Sequence, residues 1–219
     1  MSLLLKLPPA PRIVLASASP RRRELFALLG LPFEIIPSSY DEPTSPNQAV
    51  ILSEFVTHLA TEKAREVAQH EPDAWVIGAD TEVAMDFVGT PLGKPRDTED
   101  ACRMMAALAG RRHLVCTGVA LFRPSSMNLP PLSIAVSTWV KFRALTPKMI
   151  ADYVATGEPM DKAGAYGAQG YAAPFIESFE GDFFNVVGLP LCALGQLLET
   201  AGLPWSAYRS RSEKPPSTA

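Results

Sequence analysis

Cysteine is scarce in this chain of 219 residues, and its three occurrences, Cys102, Cys116 and Cys192, are too few and too far apart for a disulfide framework. Their spacings of 14 and 76 match no Cys-x-x-Cys zinc or redox pattern, so a reduced chain is expected. Histidine is equally rare, and His58, His70 and His113 are too scattered for a His-based metal site. Excess charge of one sign is lacking as well. Twenty Lys and Arg against 23 Asp and Glu leave a net charge of −3, which excludes a nucleic-acid binder that works by bulk positive field. A basic track interleaved with exposed aromatics, as single-strand binding needs, is also missing. Any anion site must therefore be concentrated in one place.

Long apolar runs are absent too. No segment reaches the ~18 residues that suggest a membrane span. The leucine-rich opening is broken by Lys6, Pro8, Pro9, Pro11 and Arg12, so Ala16-Ser17-Ala18 does not read as a secretory cleavage signal. A soluble, cytoplasmic protein without a membrane partner is the expectation.

What is present is an ordinary globular composition, 47% hydrophobic, in a chain that should bury roughly 70% of its unfolded surface without disulfides or a structural metal. The 21 prolines, nearly twice the usual share of about 5%, punctuate the sequence. Residues 1–12 read as a stiff lead-in, 13–205 as a single domain, and 206–219 as a flexible tail.

Within the domain, Ile13 to Ala16 reads as a short strand, followed by a helix with Ser19 as N-cap, Pro20 in its first turn and Gly30 as a left-handed stop. Phe33 to Ile36 reads as a second strand. A long helix is expected from about Asn47 to Gln69, then a buried strand from Trp75 that ends in Asp80. Asp97 caps a further helix that Gly110 ends, with Met104, Met105 and Leu108 facing inward. His113 to Phe122 and Leu132 to Phe142 read as antiparallel strands, the second alternating with period two. Thr146-Pro147 opens a helix to about Thr156. The runs Phe175 to Phe179 and Phe183 to Val187 flank a turn at Glu180 to Asp182, and Pro190 starts a last helix ending at Gly202. The sum is an α/β fold, a mixed twisted sheet flanked by helices.

Four clusters can carry chemistry. Ser17-Ala18-Ser19-Pro20-Arg21-Arg22-Arg23 lies between a strand and a helix N-terminus, where backbone N–H groups, hydroxyls and guanidinium forks suit an anion. It lacks the glycines and the Gly-Lys-Ser/Thr ending of a Walker loop. The plainer alternative is that Ser19 only caps and the arginines face water. Asp80-Thr81 places a carboxylate at the end of a buried strand, able to hold a divalent cation or orient a water, or simply to make a turn. Lys94, between Gly93 and Pro95, and Lys63, on the long helix, are candidate phosphate counter-ions or solvated surface charges. Asp161 to Gly170 is Gly-rich, with Gln169 able to donate and accept toward a base edge and Tyr166 better suited to anchoring the loop. Together these suit a polyphosphate ester.

Read as a set, Leu15-Ala16-Ser17-Ala18-Ser19-Pro20-Arg21-Arg22, Ile77 to Thr81, Gly93-Lys94-Pro95, Thr117-Gly118-Val119, Asp161 to Gly170 and Asn185 to Pro190 resemble the Maf family of nucleoside triphosphate pyrophosphatases, in the same order and spacing from about Ile13 to Leu198. The resemblance implies a deep nucleotide cleft and cleavage between the α and β phosphates with a divalent cation, Mg²⁺ or Mn²⁺, by a cytoplasmic, often homodimeric enzyme. It makes Asp80 the proton acceptor and links Arg21, Thr81 and Gln169 to substrate choice. Ser17, Ser19, Arg22, Lys63 and Lys94 would line the phosphate cleft. Glu42 falls where the family has an acidic residue that can help Asp80 hold the metal, with Asp41 beside it as the other possible match, although an Asp-Glu-Pro turn is explicable structurally.

The Asp161 to Gly170 run is similar to the dTTP and UTP branch rather than the 7-methyl-GTP branch. It departs from the usual pattern at Ala168, where a larger aliphatic is common, and Glu82 replaces a commonly apolar residue. The competing class is a nucleotide-sensing or division-linked binding protein without turnover, which would not need Asp80 and an acid at position 42 beside the phosphates.

Overall fold

The structure is a computed structural model that describes residues 10–208 except 44, 45 and 47. Most of the lead-in, the expected helix start at Asn47, and residues 209–219 of the tail lie outside the described residues. A six-stranded sheet has the order β2-β1-β4-β6-β7-β8. Its parallel part is β1 (Ile13–Leu15) between β2 (Glu34–Ile35) and β4 (Trp75–Ala84). Its antiparallel part continues through β6 (Arg112–Phe122), β7 (Leu132–Phe142) and β8 (Ile176–Glu180). A separate pair joins β3 (Val50–Ile51) to β5 (Val88–Gly89). No described helix is long and apolar enough to cross a membrane, and all three cysteines are free thiols.

The helices are α1 (Pro20–Ala27), α2 (Leu52–His70), α3 (Thr98–Leu108), α4 (Pro147–Val154), α5 (Phe183–Val187) and α6 (Leu191–Thr200). Their ends follow the sequence cues. Ser19, Asp97 and Thr146 each accept a backbone N–H of their own first turn, and Gly30, Gly110 and Gly202 lie at positive φ just past their helices. Trp205–Tyr208 forms a short 3₁₀ turn, with Trp205 and Tyr208 packed on the core, so ordered structure continues past the expected boundary at 205.

Two sequence expectations need correction, and one run takes a form the sequence left open. The strand that should end at Asp80 runs on to Ala84, because β6 pairs with it throughout, Asp80 opposite Gly118 and Ala84 opposite Leu114. The long helix starts at Leu52 because Val50 and Ile51, both β-branched, pair instead with Gly89 and Val88. Phe183–Val187 is a helical turn: Asp182 accepts the Phe184 N–H at 2.8 Å, and Gly188 at φ 125° ends it.

Two apolar clusters lie on one face of the sheet. One gathers Leu25 and Phe26 of α1 and Leu194 and Leu198 of α6 on Ile77 and Leu121, and the other gathers Met104, Met105 and Leu108 of α3 and Tyr153 of α4 on Val83 and Phe142. Between them the sheet is polar. Thr81 and Thr117 share a hydrogen bond of 2.9 Å, and Asn185 of α5 is buried, its amide donating to Thr138 Oγ1 and to the Val115 carbonyl, both at 3.0 Å. Burying amide and hydroxyl groups is tolerable here because most of their polar atoms are paired.

The opposite face carries α2 alone among the long helices, and here the packing is unusually close. A Cβ on Gly78 would lie 2.4 Å from the Ala60 carbonyl, and one on Gly118 would lie 2.4 Å from the Val56 carbonyl. Gly118→Ala is therefore expected to destabilise the fold by about 2 kcal/mol through overpacking. Chemical denaturation checks it; wild-type stability would mean that the helix can shift outward freely.

His113 is fully buried against Phe142 and Tyr166, shares a hydrogen bond of 2.8 Å with the Tyr166 hydroxyl, and leaves Nδ1 without a partner. Burial pulls its pKa from 6.5 to about 4. The unfolded state therefore binds a proton that the folded state refuses as pH falls from 6.5 toward 4, and stability declines across that window. At pH 5 this residue alone should cost about 2 kcal/mol relative to pH 8. Denaturation of wild type and His113→Gln at both pH values measures the increment, which should vanish in the variant.

Candidate active site

Strand β1 stops at Leu15, opposite Ile77, the Ala16 N–H makes a last bond to the Ile77 carbonyl at 2.8 Å, and the edge of β4 is met again by Leu92, whose N–H reaches the Val83 carbonyl at 2.8 Å. Between these points the edge of β4 is open, and a cavity of about 360 Å³ wraps around it. This is why Asp80, Thr81 and Glu82 all line the cavity although neighbouring strand residues face opposite sides of the sheet.

The α1 end of the cavity is formed by Ser17, Ser19, Arg21 and Arg22. Ser17 Oγ accepts the Ser19 N–H at 3.2 Å, while Ser19 Oγ sits 3.5 Å from the Arg22 N–H as the helix cap. Arg22 is held in place: Nε donates to the Gly188 carbonyl at 2.9 Å and a terminal nitrogen to Thr81 Oγ1 at 3.0 Å. Desolvation in this setting pulls its guanidinium below the usual arginine range, opposed by the charge of Asp80. Arg21 reaches across the mouth to Asp161 at 3.4 Å.

The floor is Asp80, only 5% exposed. Lys63 of α2 donates to its Oδ1 at 2.6 Å and lies 2.9 Å from Glu42 Oε1, so one ammonium joins two carboxylates. Asp80 Oδ2 is buried and has no hydrogen-bond partner. Glu42 lines the cavity and its neighbour Asp41 does not. Lys94 enters from the loop between β5 and α3 and has no acidic partner among the described residues. Gln169 and Tyr166 form the far wall, with Tyr166 6% exposed and bound to His113 as an anchor. The ten residues to which the resemblance gave site roles thus line one cavity, while Arg23 and Asp41 lie outside its lining.

The family of Maf-like proteins matches residues 12–201. The chain belongs to that family. Among curated relatives, a Moorella thermoacetica protein named dTTP/UTP pyrophosphatase is 51% identical over 192 residues, 88% of this chain and 96% of its own. Proteins of the same name from a Geobacillus species and an Anaeromyxobacter species are 49% and 48% identical, covering 82% and 90% of this chain and 92% and 93% of their own. Among solved structures, the Staphylococcus aureus Ham1 protein aligns over 75% of this chain and 79% of its own with a TM-score of 0.43 and 13% identity, too loose a likeness to argue from.

In this Maf-like chain the site holds groups that the sequence motifs did not single out as site residues. Glu82 is 8% exposed, accepts the Gly93 N–H at 3.3 Å, and is pushed up to about 7 by burial and then by the charge of Asp80. Its departure from an apolar residue was visible, but its role in holding the Lys94 loop depends on the fold. Glu66, one turn beyond Lys63 on α2, accepts from Ser38 Oγ and Ser39 N–H at 3.0 Å and from Ser39 Oγ at 2.9 Å, tying down the segment that leads to Glu42. These serines carried no recognisable spacing signal.

Lys63 and Asp80 side chains are 12% and 8% exposed, so removing one charge strands the other in a poorly solvated place. Lys63→Met is expected to cost about 3 kcal/mol of stability, most of it recovered when Asp80→Asn is added. Denaturation of the two single variants and the double variant completes the cycle; equal loss with and without Asp80→Asn would show that the pair is not coupled.

Proposed function

We propose that the chain is a nucleoside triphosphate pyrophosphatase that hydrolyses dTTP and UTP to the monophosphate and pyrophosphate. One observation carries this reading: a buried carboxylate, Asp80, has one oxygen held by Lys63 and the other unpartnered, in a cavity that also holds Arg21, Arg22 and Lys94. The curated relatives' names support the same reaction and the pyrimidine class.

A triphosphate repels an attacking oxygen unless cations neutralise it. Arg22 and Lys94 would do so directly, with the helix N-terminus at Ser19 adding N–H groups, and Arg21 would join them by exchanging Asp161 for phosphate. Asp80 would accept a proton from the water whose oxygen bonds to the α phosphorus. The bond from that phosphorus to the bridging oxygen would then break, and its electron pair would leave with pyrophosphate. The base would lie toward Gln169, whose amide can donate and accept.

A divalent cation, Mg²⁺ or Mn²⁺, belongs to this reading, with Asp80 and Glu42 as its protein ligands. The donor set fits: an orphaned carboxylate oxygen and a second carboxylate on the same ammonium are hard oxygen ligands. The described residues gather no group of three metal-ligating side chains, and Mg²⁺ typically takes one or two carboxylates with substrate phosphates and water completing its shell. When bound it would supply charge neutralisation at the phosphates. A cytoplasmic, homodimeric protein without nucleic-acid or membrane partners completes the proposal, the assembly resting on family resemblance alone.

The test is release of pyrophosphate from a panel of dTTP, UTP, their modified forms and 7-methyl-GTP, with and without Mg²⁺. Turnover of dTTP and UTP is expected, and Asp80→Asn should lower kcat by about 10³ while nucleotide still binds. Binding without cleavage of any nucleotide would replace the enzyme by a sensing module, and preference for 7-methyl-GTP would reassign the substrate branch.

A further inference from the structure

Glu158 lies outside the cavity lining, yet both of its carboxylate oxygens are committed to the turn that carries Gln169. Oε2 accepts the Tyr171 N–H at 2.8 Å, and Oε1 accepts the Tyr153 hydroxyl at 2.9 Å. The same Tyr153 oxygen accepts the Gly167 N–H at 3.2 Å, and Gly170 N–H closes the turn on the Gly167 carbonyl at 3.1 Å. The turn is thus gripped at its first and last residues, 167 and 171, with Gln169 at its tip. Burial pushes the Tyr153 phenol up, which keeps its proton in place as a donor.

The fit is tight. A Cβ on Gly170 would lie 2.1 Å from Glu158 Oε2, and one on Gly167 would lie 3.0 Å from Oε1. The glycines of this stretch are therefore explained by close approach of the turn to a carboxylate. Lys162 adds a second tie, its Nζ donating to the Glu158 carbonyl at 2.7 Å. Gln169 itself makes no side-chain hydrogen bond within the described residues, so its orientation toward the cavity comes from the backbone that Glu158 and Tyr153 hold.

We propose that Glu158, with Tyr153, is a positioning residue for base selection: it fixes the 167–171 turn so that the Gln169 amide meets the base edge in one orientation. This rests on the reading of the cleft as a pyrimidine nucleotide site. A loosened turn would let the amide meet alternative bases with either its oxygen or its nitrogen, so discrimination falls while the phosphate end, built on other elements, keeps its chemistry.

The experiment compares Glu158→Ala, Glu158→Gln and Tyr153→Phe with wild type for UTP and CTP turnover, for equilibrium binding of both nucleotides, and for amide hydrogen exchange of residues 167–171. Glu158→Ala should lower the UTP-over-CTP ratio of kcat/KM at least tenfold, leave kcat for UTP within threefold, and speed exchange in the turn. Tyr153→Phe should move both readouts in the same direction. Glu158→Gln, which keeps an oxygen for Tyr171 and an amide for the Tyr153 hydroxyl, should retain the ratio within threefold. Faster exchange with an unchanged ratio, or an equal loss for both nucleotides together with a lower Tm, would overturn the proposal and leave a structural contact. If wild type cleaves no nucleotide, the functional reading fails, and the exchange and binding measurements decide the positioning role without it.

Discussion

Helix α2 lies against β4 and β6 at a distance that only glycine permits, and the ion pair between Lys63 and Asp80 depends on that distance. Gly78 and Gly118 sit directly beneath the helix backbone at Ala60 and Val56. Lys63, three residues past Ala60, follows the same helix face and comes within 2.6 Å of Asp80. Any side chain at either glycine would lift the helix and lengthen this contact. A carboxylate this deep in the protein needs its counter-charge close by, because desolvation penalises an unpaired ion far more than it penalises a pair. Sheet–helix spacing is thus the means by which the fold keeps Asp80 paired and in place.

The cavity does not hold a simple excess of positive charge. Lys63 is shared by Asp80 and Glu42, and Asp161 takes both Arg21 and Lys162. Arg22 is oriented by neutral oxygens, and Lys94 has no acidic partner among the described residues. The uncommitted cations therefore sit with the α1 N-terminus on one side of the opening and at the Lys94 loop on the other. A chain with net charge −3 can host a polyanion under these conditions, since binding responds to local potential rather than to the sum of charges. Pushing Glu82 up to about 7 helps as well, since at neutral pH a third full carboxylate charge beside Asp80 is partly suppressed.

Much of this was legible beforehand because the relevant signals are local. Caps such as Ser19 and Asp97, and the period-two run from Leu132 to Phe142, are dictated by bonds and faces within a few residues. The motif residues from Ser17 to Gln169 were also readable, and they converge on one cavity. What escaped depends on partners distant in the chain. Whether β4 stops at Asp80 or continues is decided by β6, more than thirty residues on, and the short β3 exists only because β5 lies beside it. The five residues of α5 read equally well as an extended run, since Phe, Val and Asn have similar helix propensities and only the Asp182 cap and the burial of Asn185 tip the balance. Glu66 and Glu158 act on backbone N–H groups, which any residue supplies, so no side-chain pattern marks them.

The two loops that complete the cavity are held by the same device. Glu66 grips the Ser38-Ser39 segment, and Glu158 grips the turn from Gly167 to Tyr171, each with two carboxylate oxygens on backbone and hydroxyl donors. Charge-assisted bonds of this kind are stronger than neutral ones and leave the loop's own side chains free to face inward. Glu66 stands on α2, the helix that also carries Lys63, so the segment leading to Glu42 and the cation beside Asp80 move as one body, and any shift of α2 alters both carboxylate contacts together. Glu158 follows α4 in a short 3₁₀ turn, and Lys162 and Asp161 connect it onward to Arg21 of α1.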